Sequence, residues 1–142
     1  MIKLNCYHNL YDIYFKDLCN IMEFYFNDNC IRVGKSSKEN WNLIDESKSC
    51  DIWLHLKDVP SSHVIISMNK KYKKNNSMMN NCIEYASRLC CIQSSNKIKD
   101  KNKVAIIYIK RKYVKKGNVE GEAILLKTPN EIIVENPNYI EK

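Results

Sequence analysis

Asp51-Ile52-Trp53-Leu54-His55-Leu56-Lys57-Asp58-Val59-Pro60-Ser61-Ser62-His63-Val64-Ile65-Ile66 reads as two strands joined at a proline turn. In an extended chain alternate side chains point to opposite faces. Ile52, Leu54 and Leu56 therefore share one face, and Asp51, Trp53 and His55 the other. Asp58–Ser62 is the turn, and His63–Met68 the returning strand. Core strands rarely carry Asp, Trp and two His together. A local departure of this kind marks either a functional site or a buried polar cluster. The residues alone leave both readings open.

Outward from this pair, Met22–Phe26 reads as a strand, Asn27–Asn29 as a tight turn and Cys30–Gly34 as the returning strand. Ser36–Ser47 is expected to form a loop and a short helix near 38–46. Lys70, Lys71, Lys73 and Lys74 lie in an Asn-rich stretch that reads as a basic loop. The strongest helix runs over about 77–94, with Ser77 as its N-cap and apolar residues at helical spacing from Met78 to Ile92. Ser95–Asn102 reads as a loop. Val104–Ile109 is a continuous apolar strand expected at the centre of a sheet. Ala123–Leu126 and Ile132–Glu135 are expected to pair as a hairpin across Thr128-Pro129-Asn130. The order predicts a single α+β domain: a mostly antiparallel or mixed sheet packed by one long and one short helix. Its expected bounds are 22–136, with residues 1–21 an extension and 137–142 a tail.

The 142 residues and 44% apolar content suit one packed core and argue against general disorder. The net charge of +7 is unevenly spread. Lys70–Lys116 holds fourteen Lys and Arg against only Glu84 and Asp100; the remainder holds nine against fourteen acids. A basic middle of this kind attracts polyanions, nucleic acid foremost. Twenty Lys against three Arg also reflects compositional bias, which by itself would not strip acids from one region. Seven Cys occur without a CxxC and without His at zinc-ligand spacing, so reduced thiols in a cytoplasmic or nuclear protein are expected. No stretch has the length of a membrane span, and no apolar signal segment is expected.

No serine or cysteine has the setting of a nucleophile, and Gly34-Lys35-Ser36 matches only the tail of a phosphate loop. Neither catalysis nor a cofactor is expected. His55, His63 and Asp51 are too few for a metal site without a further ligand. Lys110-Arg111-Lys112 and Lys115-Lys116 after the core strand could track a phosphate backbone or protect a strand edge.

Taken in order, these segments resemble the NFACT-R domain. It is the RNA-binding module of NFACT proteins, NEMF and the fibronectin-binding-protein-like ribosome rescue factors among them, and of stand-alone relatives. Val33-Gly34-Lys35 with Glu39-Asn40 is similar to the family's glycine-basic element. Asp51-Ile52-Trp53-Leu54-His55 resembles its Asp-x-Trp-x-His motif, and Val59–Val64 its turn and second His. Tyr108–Lys116 with Gly121 resembles its basic strand end. The likeness spans about 22–136 and is nearest to the stand-alone members. Lys35 stands where many members have Arg, and Ser61 where many have Gly. The resemblance implies a non-enzymatic module binding RNA, tRNA or rRNA, in translation or ribosome-associated quality control, with a ribosomal subunit as partner. A protein adaptor or a DNA-binding protein is the alternative. It implies a nucleic-acid surface made of Arg32, Lys35, Asn40, Asp51, Trp53, His55, His63, Lys110, Arg111, Lys112, Lys115 and Lys116.

Overall fold

A computed structural model describes residues 21–140; the extension expected over 1–21 and the last two residues fall almost wholly outside the described range. Strands β1 (Met22–Phe26) and β2 (Asn29–Val33) form a hairpin. Its turn places Asn27 and Asp28 at positive φ (48° and 67°), which suits residues that tolerate the left-handed region. Helix α1 (Ser37–Glu46) follows, capped by Ser36, whose hydroxyl accepts from the Glu39 N–H. Glu39 in turn accepts from the Lys35 N–H at 3.0 Å, so the helix start is held from both sides. The motif segment forms β3 (Ile52–Leu56) and β4 (Val64–Ser67).

Helix α2 (Asn76–Gln93) is capped by Asn75, whose side chain accepts from the Met78 N–H. The expected cap, Ser77, lies inside the helix. Ser95–Ile98, expected as loop, forms a further short helix, α3, because Ile98 is drawn into the core at 2% exposure. Strand β5 (Lys103–Lys110) precedes a single 3₁₀ turn at Arg111–Tyr113, then β6 (Val114–Lys116), β7 (Ala123–Leu125) and β8 (Asn130–Glu135). The Lys70–Tyr72 stretch, expected as loop, is likewise a 3₁₀ turn, capped by Asn69.

The main sheet has six strands in the order β1-β2-β4-β3-β5-β8, every pairing antiparallel. The α+β class holds. One pairing differs from expectation: β7 and β8 do not form a hairpin. β7 pairs with β6 in a separate two-stranded sheet, and β8 pairs with β5. Both strands alternate, and alternation states a face without stating a partner.

The two faces of the main sheet carry different covers. Ile31, Ile52, Leu54, Leu56, Val64, Ile66 and Ile106 pack with Cys82, Ala86, Leu89 and Cys90 of α2. Each fully buried aliphatic side chain there contributes about 1.5–3 kcal/mol. Trp53, Ile65 and Ile109 point the other way. They pack with Leu43 and Ile44 of α1 and Val114 of β6, so this second face is also roofed. Cys82, Cys90 and Cys91 are buried free thiols, and desolvation pushes the Cys90 thiol up to about 12.

Candidate nucleic-acid interface

Trp53 sits in register with Ile65 on one side and Ile109 on the other, and is 2% exposed. Its indole Nε1–H donates to Nδ1 of His63 at 3.1 Å. Indole can only donate, so His63 Nδ1 carries no proton and the ring's proton is on Nε2. The Trp53 bond thus selects one tautomer of the neutral ring. Burial, then the neighbouring His55, push the His63 pKa down to about 3, against the opposing pull of the Gly121 carbonyl.

The backbone of His63 is fixed as firmly. Its N–H donates to Asn40 Oδ1 at 3.1 Å and its carbonyl accepts from the Gly34 N–H at 3.0 Å. A Cβ at position 34 would lie 2.2 Å from the same Asn40 oxygen, so only glycine leaves room for the amide. Gly121 is held at φ +91°, and a Cβ on it would come within 2.8 Å of Ser37 at the start of α1. Next to it, the Glu122 carbonyl accepts from Trp41 Nε1 at 2.9 Å. A continuous path therefore runs from Trp53 through His63 to the β6–β7 connection and α1. The Trp41 and Gly121 contacts were not legible as a unit, because neither the pairing of β6 with β7 nor its docking on α1 has a local signature.

His55 lies over Trp53 in a stacked arrangement, 5.5 Å between centroids, and meets His63 edge-on at 5.3 Å. The structure thus brings the two histidines together. The His55 ring is half-buried, and its Nδ1 lies against the Leu56 carbonyl. Nδ1 then bears the proton, leaving Nε2 as an acceptor. Desolvation holds the His55 pKa below the usual imidazole value. Asp51 does not join this cluster. Its carboxylate accepts from the Lys48 N–H and the Ser67 hydroxyl, both at 2.9 Å, and lies 3.9 Å from Arg32. Among the described residues no group of His, Cys, Asp or Glu is arranged to hold a metal ion.

The surface read from the sequence therefore divides. Trp53 and His63 are core, with no ring face open for a base. Asn40 and Asp51 brace backbone. Arg32 is turned to Glu46 and Asp51. Arg111 donates to the Ile44 carbonyl at 2.6 Å and the Val114 carbonyl at 3.1 Å, tying the strand end to α1. These side chains have internal partners, as buried polar groups must, and each braces the sheet or the strand ends around it.

Lys35, Lys110, Lys112, Lys115 and Lys116 are exposed. Lys116 pairs with Asp45 at 3.0 Å and lies 5.3 Å from the Trp41 ring centroid. Tyr113 is flanked by Lys112 at 5.1 Å and Lys127 at 4.8 Å. Lys127 was not singled out from the sequence; only the pairing of β7 with β6 carries it to this side. Lys110 joins Lys48, Lys70 and Lys73 around a separate recess of about 230 Å³.

Residues 14–128 match the family described as the NFACT protein RNA binding domain. The chain belongs to this family. Rqc2 homolog RqcH from Bacillus subtilis is 35% identical over 89 residues, covering 62% of this chain and 14% of that protein. The C-terminal part of the fibronectin/fibrinogen-binding protein from Streptococcus suis has the same fold. It superposes with a TM-score of 0.65 at 24% identity, over 82% of this chain and 45% of that one. The chain thus spans less than half the length of either relative, and only a small part of the first.

Proposed function

We propose that this protein is a non-enzymatic RNA-binding module of ribosome-associated quality control, acting in the cytoplasm on tRNA or rRNA. The observation that carries the reading is the lysine-rich side built by β6 and the residues around it. Lys112 and Lys127, just before β6 and just after β7, flank Tyr113; Lys116 lies over Trp41; and Lys115 is exposed on the other face of β6. Interleaved ammonium and aromatic groups suit a sugar-phosphate backbone. Membership of an RNA-binding family and likeness to an Rqc2 homolog support RNA and the ribosomal setting.

Salt titration of tRNA binding tests it. The logarithm of affinity should fall linearly with the logarithm of salt. Lys115→Glu with Lys116→Glu should reduce the slope by roughly 0.7–0.9 for each phosphate no longer neutralised, while leaving thermal stability nearly unchanged. A salt-independent affinity, or no binding at low salt, would sink the proposal. Competition with duplex DNA separates RNA from DNA as the preferred polymer. A second reading, docking on a protein partner, is favoured by Ile124 and Leu126, 40% and 60% exposed beside the same lysines. Ile124→Asp weakening ribosome association without weakening tRNA binding would support it.

A further inference from the structure

A cleft of about 490 Å³ opens between the Val59–Ser61 turn, the start of α1 and the Gly121–Leu125 segment. This is within the roughly 300–1,000 Å³ typical of small-ligand pockets. Leu56, Val59, Pro60, Ile107 and Leu125 give it apolar walls, and His55 stands in it. The remaining charged groups that line it, Asp58 and Glu122, are acids. A second recess of about 310 Å³ adjoins it and shares Ser37, Asn40, Pro60 and Ser61. The charged residues lining that recess are Lys35 and Lys97.

The two spaces share these wall residues and are lined by charges of opposite sign. The larger has apolar walls and an acceptor in His55 Nε2, with Asp58 in its lining; the Glu122 carboxylate accepts from the Asn118 N–H at 2.9 Å. The smaller is lined by Lys35 and Lys97. A nucleotide has the same division, with a flat base bearing N–H donors on its edge and a phosphate a few bonds away. The acidic cleft would repel a phosphate, and the lysine recess offers little apolar wall for a base. Unpaired RNA bases are read in this way, by apolar packing and hydrogen bonds at the base edge.

We infer that the His55 cleft receives a single unstacked nucleobase carrying an exocyclic amino group, with its phosphate in the Lys35–Lys97 recess. Resting on the RNA-binding reading above, this assigns that reading a specific subsite. His55 accepts from the amino group. The Pro60 turn and Leu125 hold the ring, and the deep wall is kept in place by Trp53 and His63 rather than by the ligand.

Nuclear magnetic resonance titration of the full chain tests it, with AMP, CMP, UMP and ribose 5-phosphate as probes. AMP and CMP should shift the His55 ring and the Trp53 indole N–H resonances to saturation. UMP, lacking the amino donor, should bind roughly tenfold more weakly, the factor one hydrogen bond is worth. Ribose 5-phosphate should shift only signals near Lys35 and Lys97. His55→Gln should weaken AMP binding while the remaining spectrum stays folded. No saturable shift at His55, or equal binding of UMP, overturns the inference. A parallel comparison uses oligoadenylate and an abasic ribose-phosphate strand of equal length. If both bind equally tightly, the cleft assignment fails while RNA binding stands. If neither binds at low salt, the RNA-binding reading fails, and the mononucleotide titration still decides the cleft.

Discussion

The two faces of the main sheet are held by different forces. Under α2, apolar side chains meet apolar side chains, and cohesion comes from area removed from water. Under α1 and the small sheet, Trp53, Ile65 and Ile109 bury area too, but position is set by directional bonds: Trp53 to His63, His63 to Asn40 and Gly34, Arg111 to Ile44. Area is forgiving of small shifts, whereas hydrogen bonds fix angles and distances. The face that carries the exposed lysines and the cleft is thus the one whose geometry is specified most closely. This gives the polar residues of β3 a structural role in positioning that face.

The comparison breaks most visibly at Trp53. Trp53→Ala removes the largest buried side chain of the α1 face and leaves His63 Nδ1 without a donor. It should cost about 3–5 kcal/mol, measured by urea unfolding. Leu89→Ala under α2 should cost about 2–5 kcal/mol through the cavity alone. Trp53→Phe separates the contributions, because it keeps most of the area and loses the indole donor. It should cost about 1–3 kcal/mol. A Trp53→Phe variant as stable as the parent would show that the indole–imidazole bond contributes nothing.

A smaller loss is expected at Gly34. Gly34→Ala needs Asn40 to vacate its place, since the new Cβ would lie 2.2 Å from its oxygen. The buried His63 N–H then loses its acceptor, at about 1–3 kcal/mol. Thermal unfolding should show the drop, and hydrogen exchange should show the His63 amide losing protection before the amides of α2. Uniform loss of protection over both faces would mean that the faces are not separable.

Much of the fold was legible. β1 to β5 and α2 announced themselves through alternation, helical spacing and turn residues. Asn75 and Ser77 are both good caps, and propensity alone could not choose between them. The misassigned β7–β8 hairpin has a different origin. Val114–Lys116 reads as a run of charge, so β7's true partner was invisible and the next alternating strand took its place. The face on which Trp53 lies followed from its position in β3. That the face would be roofed did not follow, because the roof is α1 with a three-residue strand pair distant in sequence. For the same reason the internal partners of Arg32 and Arg111 were not legible. A guanidinium can serve a carbonyl pair inside a turn as well as a phosphate outside it. Only the position of the Ile44 carbonyl decides for Arg111.

The least costly probe of the comparison is pH, which acts on one face only. His63 is neutral in the fold with its pKa lowered to about 3, while an unfolded histidine titrates near 6.5. Between these values the unfolded chain takes up a proton that the folded chain refuses. The stabilisation is therefore complete above about pH 6.5 and is lost as pH falls toward 3, by about 1.4 kcal/mol per pH unit for one group. His55, also held neutral by burial, adds to the slope in the same direction. Urea unfolding at pH 7.5, 6.5 and 5.5 should show the decline, and His63→Gln should flatten it, although the variant starts from lower stability. Among the described residues both histidines lie on the α1 side of the sheet, so the loss should begin there: amides of β6 and β7 should exchange faster at pH 5.5 while those of α2 stay protected. RNA affinity should follow the same profile, because loosening of the Trp53–His63 contact undoes the geometry of the lysine surface. An affinity that falls between pH 6.5 and 5.5 in the parent but not in His63→Gln would mean that the scaffold and the binding surface are one mechanical unit.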